Sequence, residues 1–375
     1  MLLLNWAGVK KSEMAGKIWY KTKIAVIGAG QAGLSTAYHL KKMGLEIGRD
    51  FIILDAAPSA GGAWQSRWDS LTLSTVNRIH DLPGMSFEET IQGDEKEVRA
   101  NIAVPHYYDL YEKEFGLQVY RPVKVEKVSL NGERFYIDTS SVSFSALGII
   151  NATGTWENPY IPEYQGAKLF KGEQLHTRNF KNAEYFRGKH VIIVGGGISA
   201  IQLLDQISKV TTTTWVARRP PEFREGQFDD MAGSLAVAMV DKRVRSGLLP
   251  TSVVSVTGLP VTDEIKNMEK RGVLKRFPMF SEITEEGVKW EDGRQEKADV
   301  ILWNTGFRWS LSHLDAVLPK EEGGGIIMSG RLATEVSKEP RIHLVGYGPS
   351  ASTIGANRAG SAAARELVKT LGIEK

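Results

Sequence analysis

The chain has 375 residues, of which 42% are apolar, 24% charged and 9% aromatic, a composition that argues against wholesale disorder, a collagen-like repeat and a membrane bundle. Its 47 Lys and Arg against 44 Asp and Glu leave a net charge of +3, too small to point to nucleic acid or an anionic membrane as partner. It contains no cysteine, so these residues can build no disulfide framework, thiolate zinc site, iron–sulfur cluster or dithiol relay.

Met1 to Leu4 is too short to span a membrane and lacks a basic leading region and a small-residue cleavage site, so the expectation is a cytoplasmic protein without an export signal. The residues before Met14 read as an appended arm or as the product of an early start codon. From Lys23 the text alternates: Ile24 to Ile27 reads as a buried strand, Ala32 to Met43 as a helix and Phe51 to Leu54 as a second strand. This is the opening of a βαβ unit. Val123 to Ser145 reads as a small antiparallel meander with a turn at Asn131-Gly132, and Leu147 to Ile150 as a return to a buried strand. A second unit begins at His190, with Val191 to Val194 as strand, Ser199 to Lys209 as helix and Thr212 to Ala217 as strand. Met231 to Val240 reads as a core helix, Val300 to Trp303 and Ile342 to Val345 as strands, and Ala356 to Leu371 as a last helix.

Glycine accounts for 38 residues, above the roughly 7% of average chains, and much of the excess follows apolar runs. The first strand ends in Gly28-Ala29-Gly30-Gln31-Ala32-Gly33. The first glycine suits a tight turn, the second a close approach to pyrophosphate and the third close helix–strand packing. The helix that follows offers amides and a positive dipole end to phosphate. The second strand ends at Asp55, where a carboxylate can accept hydrogen bonds from ribose hydroxyls. In the second unit the turn reads Gly195-Gly196-Gly197-Ile198-Ser199-Ala200, with alanine in third place. Its acid is missing. Arg218-Arg219 stand there instead, and guanidinium forks suit a 2′-phosphate that a carboxylate would repel. The two ribose chemistries point to two nucleotides, FAD at the first turn and NADPH at the second; a solvated edge is the alternative reading of the arginine pair.

Further segments resemble the flavin-containing monooxygenase family, a branch of the class B flavoprotein monooxygenases. Phe170-x-Gly172-x3-His176-x3-Phe180, ahead of the second turn, is similar to that family's identifying motif. Asn151-Ala152-Thr153-Gly154 with Pro159 and Pro162 resembles its crossover between domains, and Asn304-Thr305-Gly306-Phe307 its return crossover. Gly61-Gly62-Ala63-Trp64 resembles the segment that wraps the flavin, and Gly346-Tyr347-Gly348 the turn under its ribityl chain. Two departures matter. Phe180 is followed by Lys181, and Trp64 by Gln65 through Trp68-Asp69-Ser70, neither as in Baeyer–Villiger enzymes, so a soft nitrogen or sulfur substrate is favoured over a ketone.

The resemblance implies an α/β fold of two Rossmann-like dinucleotide-binding domains, the NADP domain (163–299) inserted in a discontinuous FAD domain (20–162 and 300–375). It implies an NADPH-dependent oxygenation of a small nucleophile through a C4a-hydroperoxyflavin, with a small-molecule substrate and dioxygen as partners and no metal. The implied cofactor set is Gly28, Gly30, Gln31, Ala32, Gly33, Asp55, Gly62, Trp64, Val123, Thr153, Gly154, Gly306 and Gly348 toward FAD. Toward NADPH it is Gly195, Gly197, Ile198, Ser199, Ala200, Arg218 and Arg219. Asn77 is the catalytic candidate, with a polar surface turn as its alternative; His176 is either a catalytic acid or a brace for the loop before the NADP turn. Arg78, His80, Arg308 and Tyr347 are further candidates for lining the site. An oxidase or reductase passing electrons to oxygen, quinone or a partner, and a flavin or NADP sensor without activity, stay open beside the oxygenase. A homodimer is compatible with the chain, whose oligomeric state the sequence leaves open.

Overall fold

The computed structural model describes residues 10–14, 17–76, 79–225, 230–251 and 258–373. Four-residue runs of β-branched and aliphatic side chains make the centres of two parallel sheets, because a strand covered on both faces needs apolar residues at every position. In the first sheet Gly148–Asn151, Ile24–Ile27, Phe51–Leu54 and Val119–Tyr120 lie side by side and parallel. Glu339–Leu344 adds in parallel to Gly148–Asn151, and Glu335–Val336 and Met328–Ser329 continue the edge antiparallel. In the second sheet the order is Glu173–His176, Val300–Trp303, Val191–Val194, Thr213–Val216 and Arg276–Phe277, all parallel.

Val300–Trp303 was expected to open the return to the first unit. It pairs instead between two strands of the second sheet, so the chain changes sheets after Trp303, at Asn304 to Phe307. The run Val-Ile-Leu-Trp is fully buried and carries no mark of which sheet it serves; pairing with both Leu175 and Ile193 through Leu302 decides it.

The meander forms from Val125–Asn131, Arg134–Thr139 and Ser143–Ala146. Asn131 pairs with Arg134, so the two-residue hairpin loop is Gly132-Glu133, one residue later than the turn expected at Asn131-Gly132. The leading segment is not a free arm from Lys10 onward: Lys10–Met14 pairs with Lys17–Lys21, and Lys17–Lys21 runs parallel to Ser143–Ala146. Trp19 closes this contact edge-on against Tyr136, with ring centres 5.0 Å apart.

The expected core helix at Met231 to Val240 is a surface helix, Asp230–Arg245. Among its described side chains Ala236, Val240 and Val244 are buried, a spacing of four that marks one narrow face, whereas Leu235 and Met239 are 62% and 57% exposed. An apolar run alone does not tell a core helix from one whose second face meets solvent. The last helix, Thr353–Thr370, packs along Gln31–Lys42 through small residues, among them Ala356, Ala359 and Ala363.

Candidate functional site

The first turn is built for close approach. Gly28 holds φ at +100°, and a Cβ there would lie 2.5 Å from the Ala152 carbonyl oxygen, so both conformation and space demand glycine. Gly33 has no room either: its Cβ would stand 1.8 Å from the Gly28 oxygen. Gly30 is different, with no atom within 4 Å of the place a Cβ would take. The helix Gln31–Lys42 starts at Gly30 without a side-chain cap or an acid in its first turn, so its leading N–H groups and dipole are free for an anion. Asp55 ties this turn to the second strand. Its Oδ2 accepts from the Ala29 N–H at 2.6 Å and its Oδ1 from the Ala57 N–H at 2.8 Å. Val123, buried, donates its N–H to the Asp55 carbonyl at 2.8 Å.

Gly62 reaches across to the same turn, and its Cβ would come 3.1 Å from Gly30 Cα. Gly346 lies on another side, 3.7 Å by the same measure from Ala32 Cβ. Gln31 gathers three segments: Tyr108 Oη donates to its Oε1 at 2.6 Å, and its Nε2 donates to Asn357 Oδ1 at 2.9 Å and the His80 carbonyl at 3.1 Å. Tyr108 and Asn357 had no motif to announce them; they come from helices far apart in sequence.

The two crossovers run side by side. Thr153 Oγ1 donates to the Ser310 carbonyl at 2.7 Å, Ser310 N–H to the Gly154 carbonyl at 3.0 Å and Tyr160 N–H to the Gly306 carbonyl at 3.0 Å. His176 shares a 2.9 Å hydrogen bond between Nε2 and the Gly306 carbonyl, accepts from the Arg178 N–H through Nδ1, and meets the Phe307 ring edge-on at 4.8 Å. It is fully buried, and burial lowers its pKa. Both ring nitrogens are thus engaged by backbone, as a brace between the motif and the return crossover requires. Phe180, from the same motif, meets Trp68 of the first unit edge-on at 5.8 Å.

One cation was missed in the sequence. Arg67 lies 4.3 Å over the Trp156 ring and 5.7 Å from that of Trp64, its Nε is buried with no hydrogen-bond partner, and no carboxylate among the described residues pairs with it. Burial pushes its pKa down to about 10, which leaves it charged at neutral pH. Nothing about an arginine three residues past a tryptophan signals a second tryptophan from the crossover.

Beneath the first crossover, His313 Nε2 shares a 2.8 Å hydrogen bond with Asn151 Oδ1, and Asn151 Nδ2 donates to Thr153 Oγ1 at 3.0 Å. Burial lowers the His313 pKa from 6.5 to about 4. The folded protein therefore takes up this proton less readily than the unfolded chain, so stability is complete above about pH 6.5 and falls as the pH drops toward 4. At pH 5 the residue is expected to lower unfolding free energy by about 2 kcal/mol relative to pH 7. Urea melts of the protein and of His313→Gln at both pH values check this; the same pH dependence in both proteins contradicts it.

The second turn repeats the first with one change. Gly195, at φ +142°, would place a Cβ 2.4 Å from the Asn304 carbonyl oxygen, and Trp215 Nε1 donates to the Gly195 carbonyl at 2.7 Å. The helix Ile198–Ile207 again starts without a side-chain cap or acid, at Gly197, with Ile198 and Ser199 in its first turn. Ala200 is fully buried, so this helix stands far enough from its turn to admit the methyl that Gly33 excludes. Arg218 and Arg219 are exposed at the end of the adjoining strand, and neither forms an ion pair with a described carboxylate. Gly348 is buried against Val244 of the surface helix, and Tyr347 against Trp309 at 5.0 Å. Arg308 lies 4.0 Å over the Tyr160 ring. Asn77 and Arg78 lie outside the described residues.

The model of the pyridine nucleotide-disulphide oxidoreductase family matches residues 25–346. A flavin-containing monooxygenase from Stenotrophomonas maltophilia is 32% identical, superposes with a TM-score of 0.77, and is matched over 93% of this chain and 99% of its own. The chain belongs to the flavin-containing monooxygenase family. The uncharacterized oxidoreductase CzcO of Bacillus subtilis (strain 168) is 28% identical over 80% of this chain and 86% of its own length. Flavin-containing monooxygenase 5 of Homo sapiens is 25% identical over 79% of this chain and 63% of its own length. A bacillithiol disulfide reductase from Bacillus cereus shares the fold at a TM-score of 0.67 and 19% identity. As a family member the chain is a flavin-dependent oxidoreductase with sites for a flavin and a pyridine nucleotide, in an α/β fold of two dinucleotide-binding units. No helix among the described residues is long and apolar enough to cross a membrane.

Proposed function

We propose that the chain binds FAD at the Gly28 turn and NADPH at the Gly195 turn and oxygenates a small nucleophile bearing nitrogen or sulfur. The observation that carries this reading is the difference between two otherwise alike turns: a buried carboxylate, Asp55, closes the first, and two exposed arginines, neither in an ion pair with a described carboxylate, flank the second. Gly30 and Gly62 leave a cradle at the first turn, open where a Cβ would stand on Gly30, and the uncapped helix start behind it fits a pyrophosphate. Thr153 borders the same turn, its N 3.1 Å from where a Cβ on Gly28 would stand, and the crossover with Gly154 is tied to the segment after Gly306; the FAD unit then comprises residues 20–162 and the chain after Trp303.

When bound, the flavin supplies hydride acceptance from the nicotinamide and activation of dioxygen. The chain's own residues hold and shield it. Asp55 fixes the first turn, Gln31 with Tyr108 and Asn357 locks the helix start in place, and the Trp156, Phe307 and His176 rings fill the space between crossovers with apolar surface that excludes water. Arg67 puts a positive charge beside Trp64, and a flavin bound against that wall would have its electron-rich reduced form favoured. The test is anaerobic reduction by NADPH followed by rapid mixing with oxygen. The oxygenase reading expects a transient near-ultraviolet absorbance ahead of flavin reoxidation, lengthened by bound NADP, and substrate oxygenation that accounts for most NADPH consumed. Immediate reoxidation with one peroxide per NADPH in the presence of amines and thioethers would make the protein an oxidase.

A further inference from the structure

Away from both nucleotide turns, three ligand-type side chains converge where the outer edge of the first sheet meets the last helix. Glu335 and His343 are cross-strand partners, which sends their side chains to one face of the sheet, and Glu366 comes from the helix Thr353–Thr370. One ligand atom from each lies within 4.8 Å of the others.

Two of these groups are left unpaired where water cannot serve them. His343 is 0% exposed; its Nδ1 is 3.2 Å from Thr334 Oγ1, but Nε2 has no hydrogen-bond partner. Glu366 Oε1 accepts from the Arg331 N–H at 2.8 Å, while its Oε2 is buried and unpartnered. Each such orphan costs about 1–3 kcal/mol, and a direct histidine–carboxylate hydrogen bond, the simplest remedy, is not formed. A single ion could serve all three groups: ligands held at about 2.0–2.2 Å from a metal are at most about 4.4 Å from one another, and one atom from each of these side chains lies within 4.8 Å of the others.

The chemistry agrees with the geometry. A neutral imidazole keeps one ring lone pair for a metal. Two carboxylates balance the charge of a divalent ion, and an imidazole among them suits zinc and its transition-metal neighbours better than magnesium or calcium. Every ligand also has an outer partner that fixes its orientation: Thr334 on His343, the Arg331 N–H on Glu366, and Ser329 Oγ, which donates to Glu335 Oε1 at 2.8 Å. Arg331 and Thr334 flank Leu332 and Ala333, at φ +60° and +50°, a conformation costly for residues other than glycine, so something must hold this turn.

We propose that Glu335, His343 and Glu366 bind one divalent transition-metal ion through one imidazole nitrogen and the two carboxylates, joining the last helix to the sheet edge. No local spacing reveals such a site in the sequence, because its ligands come from a short hairpin and a helix that follows a loop.

The experiment uses the chelator-treated, flavin-loaded protein, titrated with zinc chloride in a calorimeter, and in parallel with magnesium chloride, with thermal melts at each end point. The expected result is one saturable zinc site per chain and a rise in Tm of several degrees, with magnesium producing neither. Glu335→Gln, Glu366→Gln and their double variant keep the buried imidazole and the flavin absorbance, and the double variant is expected to bind zinc at least tenfold more weakly and to lose the rise in Tm. Zinc binding of equal affinity and stoichiometry in the double variant would place the ion at surface groups such as His190 and Glu296 and overturn the proposal, as would the absence of a zinc-dependent rise in Tm.

Discussion

Gly33→Ala is expected to yield a protein with little or no bound flavin and an unfolding free energy lower by about 2–3 kcal/mol, the upper part of the about 1–3 kcal/mol that forcing extra atoms into a packed interior costs. The new Cβ would begin 1.8 Å from the Gly28 carbonyl oxygen, so the helix must withdraw by more than an ångström or the turn must open. Either movement shifts the leading N–H groups of Gln31–Lys42 away from the phosphate they are proposed to bind. Gly30→Ala separates the two effects. With nothing within 4 Å of its Cβ and an extended backbone at φ −83° and ψ −166°, alanine fits there without strain, so stability should stay within about 0.5 kcal/mol while the methyl occupies ligand space and weakens flavin retention. Absorbance ratios of flavin to protein and urea melts report both quantities. A Gly33→Ala protein that keeps full flavin and an unchanged melt would show that the turn is not the flavin cradle.

The second large effect concerns the choice of pyridine nucleotide. Replacing both Arg218 and Arg219 with alanine is expected to lower the NADPH/NADH ratio of kcat/KM by about a hundredfold, since hydrogen bonds to a charged phosphate contribute about 1.5–3 kcal/mol and both donors would be lost. The loss should fall on NADPH, with NADH changed by less than about threefold. These arginines are exposed and make no ion pair with a described carboxylate, so their removal leaves no buried partner stranded and the fold is not expected to suffer. An unchanged ratio would mean that the 2′-phosphate is read elsewhere; Arg276, which donates to the Ala217 carbonyl at 2.7 Å, is one further guanidinium beside this strand end.

What the sequence makes legible is what a short motif can carry. The runs Ile24–Ile27, Phe51–Leu54, Val191–Val194 and Val300–Trp303 appear as strands at their expected bounds, because full burial imposes an unbroken apolar run. The two glycine turns are legible for a similar reason, since backbone crowding at Gly28 and Gly195 admits no other residue. Features assembled across sequence are not. Which sheet takes Val300–Trp303 depends on pairing with Leu175 and Ile193, and the exposure of Leu235 and Met239 depends on what their helix packs against. The aromatic sandwich of Arg67 with Trp156, the knot at Gln31 and the trio of Glu335, His343 and Glu366 all join segments from distant parts of the chain, where no spacing rule reaches.

The nested path of the chain also sets an order of events during synthesis. Every strand of the second sheet is contained between Glu173 and Trp303, so that sheet can close as soon as Trp303 has left the ribosome. The first sheet cannot. Gly148–Asn151 keeps one edge unpaired until Glu339–Leu344 is made, and its N-terminal strands must wait through the translation of the entire second unit. An unpaired apolar edge of this kind is a template for wrong pairing. Ribosome-stalled chains ending between Asn151 and Leu344 are therefore the ones that should need a chaperone, and release past Leu344 the step at which that need ends.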